Sequence, residues 1–321
     1  MRLMAPRISP EDRVLGCLIG GAIGDALGYQ VEFKSWPQIV DEWGPDGVTG
    51  LRRNQVSDDT QMTLFTAEGL LEAVDGDRFG SVRRAYLRWY VTQTEHMPPM
   101  GSTGLAAETW LYMRRAPGNA CLTGLAQGGE PGVNPDSKGC GTVMRSAPFG
   151  LLADSPAKAF ELARDCSAIT HGHRTAGEAA GAFAMMIAAL VRGETPQKAV
   201  SEAMLHLRRN LDASETLDAL RRAYELAGNL PPGPNSTEPL GQGWVAEEAL
   251  AIAVYCFLGT DNARSALIAA ASHDGDTDST ASIAGNLLGA AYGHGALPAE
   301  WAAAVEGRET IAGLAARIAA V

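Results

Sequence analysis

Between Val14 and Leu27 the apolar residues fall in pairs four apart: Val14 with Leu15, Leu18 with Ile19, Ala22 with Ile23, Ala26 with Leu27. That spacing marks one face of a helix. Gly16, Gly20, Gly21 and Gly24 lie on the same helix, and each costs up to ~1 kcal/mol relative to Ala. A chain keeps such residues where another helix or a ligand must come close.

Helical periodicity continues along the chain. It predicts helices over 57–74, 81–93, 156–169, 176–192, 196–209, 214–228, 245–258, 261–272 and 279–293, with one or two short ones after 298. Between them lie a loop over 34–56, a long Gly/Pro/Asn loop over 116–141 and a break over 230–243. No alternating strand pattern and no internal repeat is present. The chain is 46% hydrophobic but only 6% aromatic, so Ala, Leu, Ile and Val must fill the core. The expected fold is all-α, a single compact domain over 1–321 with ten or more helices in layers.

The formal net charge is −11, which argues against a surface for nucleic acid. The five cysteines are scattered and never in C-x-x-C spacing, which points to a reducing compartment. The segment 1–13 has no apolar core of a signal peptide, and the longest apolar run, 179–191, is too short for a bilayer. A cytoplasmic, membrane-free protein is expected, with a monomer as the default.

The stretch HDGDTDSTASIAGN, 273–286, places Asp274, Asp276 and Asp278 at alternate positions before a small-residue helix. Acids suit a helix N-terminus, at ~0.3–1 kcal/mol each, which explains one or two but not three. An EF-hand loop counted from Asp274 fails at its sixth position, Ser279, and its twelfth, Gly285. The third reading is a hard-cation site shared with another segment. An extended loop would turn Asp276 and Asp278 to one side, with the Ser279 hydroxyl beside them. SDDT, 57–60, repeats the grammar: Ser57 as N-cap, Asp58 and Asp59, then an amphipathic helix. Glu32, just past the first helix, is a further acid. Two acidic helix starts could converge on a pair of divalent ions. Asp25 reads as a buried acid that pairs helices.

Four segments in this order resemble the ADP-ribosylglycohydrolase family: 16–33, 57–71, 138–150 with 169–182, and 273–293. The resemblance runs over about 12–295. It implies an all-α fold with a cleft holding two Mg²⁺ or Mn²⁺ ions. One ion would take Ser57, Asp58, Asp59 and Asp278, and the other Asp276, Asp278 and Ser279, with Asp278 bridging. Glu32 would lie beside the second ion, touch substrate and move protons, so Glu32 and Asp278 are the expected catalytic residues. GCGTVMRS would bind a diphosphate and the neighbouring riboses through Gly139, Gly141, Thr142 and Met144, with His171 lining the cleft. Arg145 is expected to be a phosphate ligand or a structural ion-pair partner, the structural role being favoured, and Asp274, for which the resemblance gives no role, to cap a loop or to support the ligands from behind. Trp89, Tyr90 and Trp110 are expected in the core rather than against adenine.

The implied reaction is removal of ADP-ribose from an acceptor: arginine on a protein first, with serine, O-acetyl-ADP-ribose or another small conjugate as alternatives. A phosphoester hydrolase using the same ions would release phosphate instead. A non-enzymatic relative should have lost its acids, and Asp58, Asp59, Asp276 and Asp278 are all present.

Overall fold

The computed structural model of the chain describes residues 8–209 and 214–321. The first seven residues of the segment judged not to be a signal peptide lie outside that range. Among the described residues there are fifteen α-helices and no β-strand. They are α1 (Pro10–Gly28), α2 (Trp36–Trp43), α3 (Asp58–Leu71), α4 (Arg78–Thr94), α5 (Asn119–Ala126), α6 (Ala147–Leu152), α7 (Pro156–Ser167) and α8 (Arg174–Val191). There follow α9 (Pro196–Arg209), α10 (Ser214–Asn229), α11 (Ala246–Leu258), α12 (Ala263–Ala270), α13 (Thr277–Tyr292), α14 (Ala299–Ala304) and α15 (Arg308–Ala319).

The all-α, single-domain expectation holds, and the long helices fall within three residues of their predicted ends. Three short helices, α2, α5 and α6, were not expected. In α2 the signal is local: Gln38 Oε1 accepts the Ser35 N–H at 2.8 Å, and Pro37 sits in the first turn. Eight residues are too few for periodicity to show.

The start of α13 corrects the extended-loop reading of the acidic stretch. Asp276 is the N-cap, its carboxylate accepting the Ser279 N–H at 3.3 Å, and Asp278 already lies in the first helical turn. Capping makes the helix begin two residues earlier than its apolar pattern does.

The glycines of α1 meet the backbone of α13. A Cβ on Gly16 would overlap the backbone at Gly289 and Gly293, and one on Gly20 the Gly285 carbonyl. One on Gly24 would overlap the Ala281 carbonyl, and one on Gly28 the Thr277 carbonyl. As the number rises by four on α1 it falls by four on α13, so the helices run antiparallel in contact along one stripe. Gly285 and Gly289 return the contact onto Gly20 and Gly16. Thr277 Oγ1 donates to the Gly28 carbonyl at 2.9 Å, fastening one end. At the other end Arg13 Nη1 donates to the carbonyls of Ala290 (2.8 Å), Leu190 (3.3 Å) and Ala291.

Around this pair, α8 and α11 pack on α13, while α7, α9 and α10 cover α8 and α11. The α3–α4 pair and α15 close the opposite side. By length and composition α8 could cross a membrane, yet it is buried inside the fold. Trp89 is fully buried, its Nε1 donating to Gln61 Oε1 at 3.1 Å, and Tyr90 and Trp110 pack against the core as expected.

The stripe yields a stability prediction. Gly20→Ala should cost about 1–3 kcal/mol in chemical denaturation, because the new Cβ has no space. Gly313→Ala, in open space on α15, should instead stabilise by about 0.5–1 kcal/mol. Equal midpoints for the two variants would remove the stripe from the stability argument.

Candidate active site

Antiparallel packing sets the C-terminal end of α1 beside the N-terminal end of α13. Asp25 then brings in α3. Its carboxylate accepts the Ser57 N–H at 2.8 Å, the Thr60 N–H at 3.0 Å and the Thr60 hydroxyl. Ser57 caps α3 by accepting the Asp59 N–H at 3.3 Å. Two helix N-termini, each carrying acids, thus converge on the turn that follows α1.

The cluster is buried: Asp58 is 4% exposed, Asp59 2%, Asp276 3% and Asp278 2%. Carboxylate oxygens of Glu32, Asp276 and Asp278 lie within 4.8 Å of one another. Ser279 Oγ is 3.5 Å from Asp59 Oδ1. Asp58 accepts the Gly118 N–H at 3.2 Å, and the Cys140 thiol donates to Asp276 Oδ2 at 2.6 Å. Glu32 Oε2 and Asp59 Oδ2 are buried with no hydrogen-bond partner. Among the described residues no Lys or Arg pairs with any of these acids. Buried carboxylates elsewhere do have cations, as Glu68 has Arg88 and Glu247 has Lys138.

Burial first, then Asp278, pushes Asp58 and Asp59 well above the usual carboxylate range. Burial and then Asp276 do the same to Asp278. Glu32 is pushed up to about 11 by burial, then by Asp278 and Asp276. Asp25 rises to about 7, through burial and then Asp278. Two helix dipoles offset about 0.3–1 kcal/mol per acid, whereas burying a carboxylate costs several kcal/mol. The donors are hard oxygens, buried, crowded and partly unpartnered. That set suits a hard divalent cation.

Above the acids lies a cleft of about 330 Å³, lined on one side by Glu32, Asp58, Asp59, Asp276, Asp278 and Ser279. Gly139, Gly141, Met144 and His171 line the other side. A Cβ on Gly139 would come within 3.2 Å of His171 Nε2, so the imidazole lies directly over this turn. The end of the 230–243 break and the residue that follows it hold the turn against the acids. Gln242 O accepts the Asp276 N–H at 2.8 Å, and Trp244 O accepts the Cys140 N–H at 3.1 Å.

Two expected residues do not line the cleft. Thr142 turns its hydroxyl away, donating to the Ala176 carbonyl at 3.0 Å, because its 3₁₀ turn packs against α8. Ser57 is fully buried beneath Asp278 as the α3 cap. Arg145 is structural, but not as an ion-pair partner. It is buried over the Tyr86 ring and donates to Thr170 Oγ1. Asp274 accepts the Trp36 N–H and so caps α2.

Sequence reasoning missed Phe33, Trp244 and Cys140, which also line the cleft. Phe33 and Trp244 stack with centroids 5.5 Å apart at the mouth, where Phe33 is 69% exposed. Phe33 adopts φ +66°, a left-handed conformation that costs a non-glycine residue about 1–3 kcal/mol. Adjacency to Glu32 was the only signal for Phe33; Trp244 reaches the cleft through tertiary structure alone.

Fold and site define an all-α protein with a buried acid cluster beneath a cleft of small-molecule size. The family model for ADP-ribosylglycohydrolase matches residues 6–321. Over 315 residues the chain is 26% identical to the ADP-ribosyl-dinitrogen reductase glycohydrolase of Rhodospirillum rubrum, covering 91% of this chain and 90% of that one. It is 25% identical to the ADP-ribosylarginine hydrolase Tri1 of Serratia proteamaculans, covering 98% and 81%. It is likewise 25% identical to the ADP-ribosylhydrolase ARH3 of Homo sapiens, covering 92% and 90%. A solved structure titled an ADP-ribosylglycohydrolase-related protein complex superposes with TM-score 0.73 at 28% identity, covering 97% and 98%. The chain belongs to the ADP-ribosylglycohydrolase family and is a hydrolase of ADP-ribosyl bonds.

The raised carboxylate pKa values predict how stability varies with pH when divalent ions are chelated. An acid with a raised folded-state pKa stabilises the fold fully below its unfolded value, about 4. That contribution is lost as pH rises through the folded value, about 7 for Asp25. In EDTA, Tm should therefore fall between about pH 5 and 8. Mg²⁺ or Mn²⁺ should restore it most at the upper end. A Tm that ignores both pH and cation would contradict the electrostatic reading.

Proposed function

We propose that the chain is a divalent-cation-dependent hydrolase that removes ADP-ribose from arginine side chains of a modified protein. The observation that carries this reading is the set of crowded, partly unpartnered carboxylates, with no Lys or Arg beside them among the described residues, that forms one wall of the cleft. Asp58 and Asp59 with Ser57, and Asp276 and Asp278 with Ser279, would hold two Mg²⁺ or Mn²⁺ ions, with Asp278 shared. Bound ions would supply positive charge to polarise the distal ribose hydroxyls.

The remaining roles belong to the chain. The backbone of Gly139 and Gly141 can approach a diphosphate closely, since neither residue carries a Cβ. Met144 and His171 flank that turn in the cleft. Glu32 stands opposite, at the end where the acceptor would enter beside Phe33. In hydrolysis the bond from C1″ to the guanidine nitrogen breaks and a water oxygen takes its place on C1″. One proton of that water ends on the departing nitrogen, and Glu32 is the carboxyl placed to pass it. Arginine is favoured as acceptor because the Serratia relative, matched along nearly the whole chain, is named for that linkage.

The test is release of free ADP-ribose from an arginine-modified protein and from a serine-modified peptide, each with Mg²⁺, Mn²⁺ or EDTA. Arginine release that requires the cation is expected. Asp278→Asn should lower kcat/KM by at least about a hundredfold, or roughly 2.7 kcal/mol, with helical circular dichroism unchanged. Undiminished activity in EDTA, or in Asp278→Asn, would refute the cation assignment, and preference for the serine peptide would refute the acceptor.

A further inference from the structure

Arg145 is 1% exposed, and among the described residues it has no carboxylate partner. Its Nη1 meets only sulfur, Cys121 Sγ at 3.5 Å and Met62 Sδ at 3.7 Å. Arginine cannot shed its proton in a protein, so this is a buried charge held without a counter-ion. Its one strong acceptor is Thr170 Oγ1, 2.7 Å from Nη2. The same oxygen lies 2.8 Å from His171 Nδ1. His171 is 3% exposed and carries its other ring nitrogen to the Gly139–Gly141 turn.

We propose that Arg145 and Thr170 are positioning residues that hold His171 as the neutral tautomer protonated on Nε2, a fixed N–H donor for the diphosphate of ADP-ribose. The inference rests on the diphosphate reading of the glycine turn. A guanidinium only donates, so Thr170 Oγ1 accepts from Arg145. The single hydroxyl proton of Thr170 is then free to point at Nδ1, which can accept it. An accepting Nδ1 leaves the ring hydrogen on Nε2, facing the cleft. In the opposite tautomer, Nδ1–H and the guanidinium would both drive positive ends into one oxygen. The hydroxyl would then turn to the thiol of Cys121, a weak acceptor.

The imidazolium form is disfavoured as well. Burial, then the neighbouring Arg145, lowers His171 to about 3. The donor is therefore uncharged and unchanging through the neutral range. The glycines complete the arrangement, because a Cβ on Gly139 or Gly141 would come within 3.2 Å of the ring.

The test uses full-length ¹⁵N-labelled protein and long-range ¹H–¹⁵N spectra, which separate the two tautomers. His171→Gln assigns the signal among the six histidines. Wild type should show hydrogen on Nε2 alone, unaltered from pH 5 to 8. Thr170→Val should lose that single-tautomer signature and weaken ADP-ribose binding about tenfold by calorimetry. Thr170→Ser should keep both. Hydrogen on Nδ1 in the wild type overturns the relay even if ADP-ribose binds. So does a Thr170→Val protein with the wild-type tautomer and affinity. If Thr170→Val does not fold, the wild-type and Thr170→Ser spectra still decide. Wild type that shows the Nε2 tautomer but does not bind ADP-ribose overturns the functional reading beneath it instead.

Discussion

Backbone lies on backbone where α1 crosses the face of α13. Four glycines on α1 and two on α13 lack room for a side chain, so main chain meets main chain along the stripe. Side chains soften most helix contacts, because they can repack when a helix shifts. Along this stripe little can repack. Glu32, Asp276 and Asp278 all hang from one end of it, and α3 is tied to the same end through Asp25. The position of every acid in the cleft is thus referred to a contact between main chains. Arg13, gripping carbonyls of α13 and α8, secures the far end.

The acids divide by what satisfies them. Asp25 takes two backbone N–H groups and a hydroxyl, and Asp274 takes the first N–H of α2. Both join elements together. Glu32, Asp59 and Asp278 have too few donors around them, and burial first, then repulsion from neighbouring aspartates, raises their pKa values. A fold accepts such an arrangement at functional sites and is stable for other reasons. Here the alanine-rich helical core supplies that stability.

Much of this was legible in the sequence. Long helices declare themselves through apolar pairs four apart, and the acids through their crowding at Asp58–Asp59 and Asp276–Asp278. Glu32 was found because it follows directly on a helix end. Other features come from tertiary closure or from energies too local for periodicity. The α2 helix depends on one capping box of Ser35 and Gln38, and Asp274 could not be told from Asp276 by spacing. Thr142 belongs to a motif whose neighbours face the cleft, but a 3₁₀ turn sends its hydroxyl to α8. Trp244 lies about a hundred residues from the glycine turn and meets it through backbone bonds of Gln242 to Asp276, Trp244 to Cys140 and Ala246 to Lys138. Arg145 invites an acid by charge alone, and the fold gives it a hydroxyl instead.

The period of the α1–α13 stripe has a mechanical consequence. Sliding one helix by a single residue would press Cβ-bearing positions into opposing carbonyls. The next position free of such overlap is a full glycine along, about 6 Å away at 1.5 Å per residue. That distance exceeds the 4.8 Å within which the oxygens of Glu32, Asp276 and Asp278 are gathered. The helix pair therefore works as a detent with one usable notch, and a slip by one notch would carry Glu32 out of reach of Asp276 and Asp278.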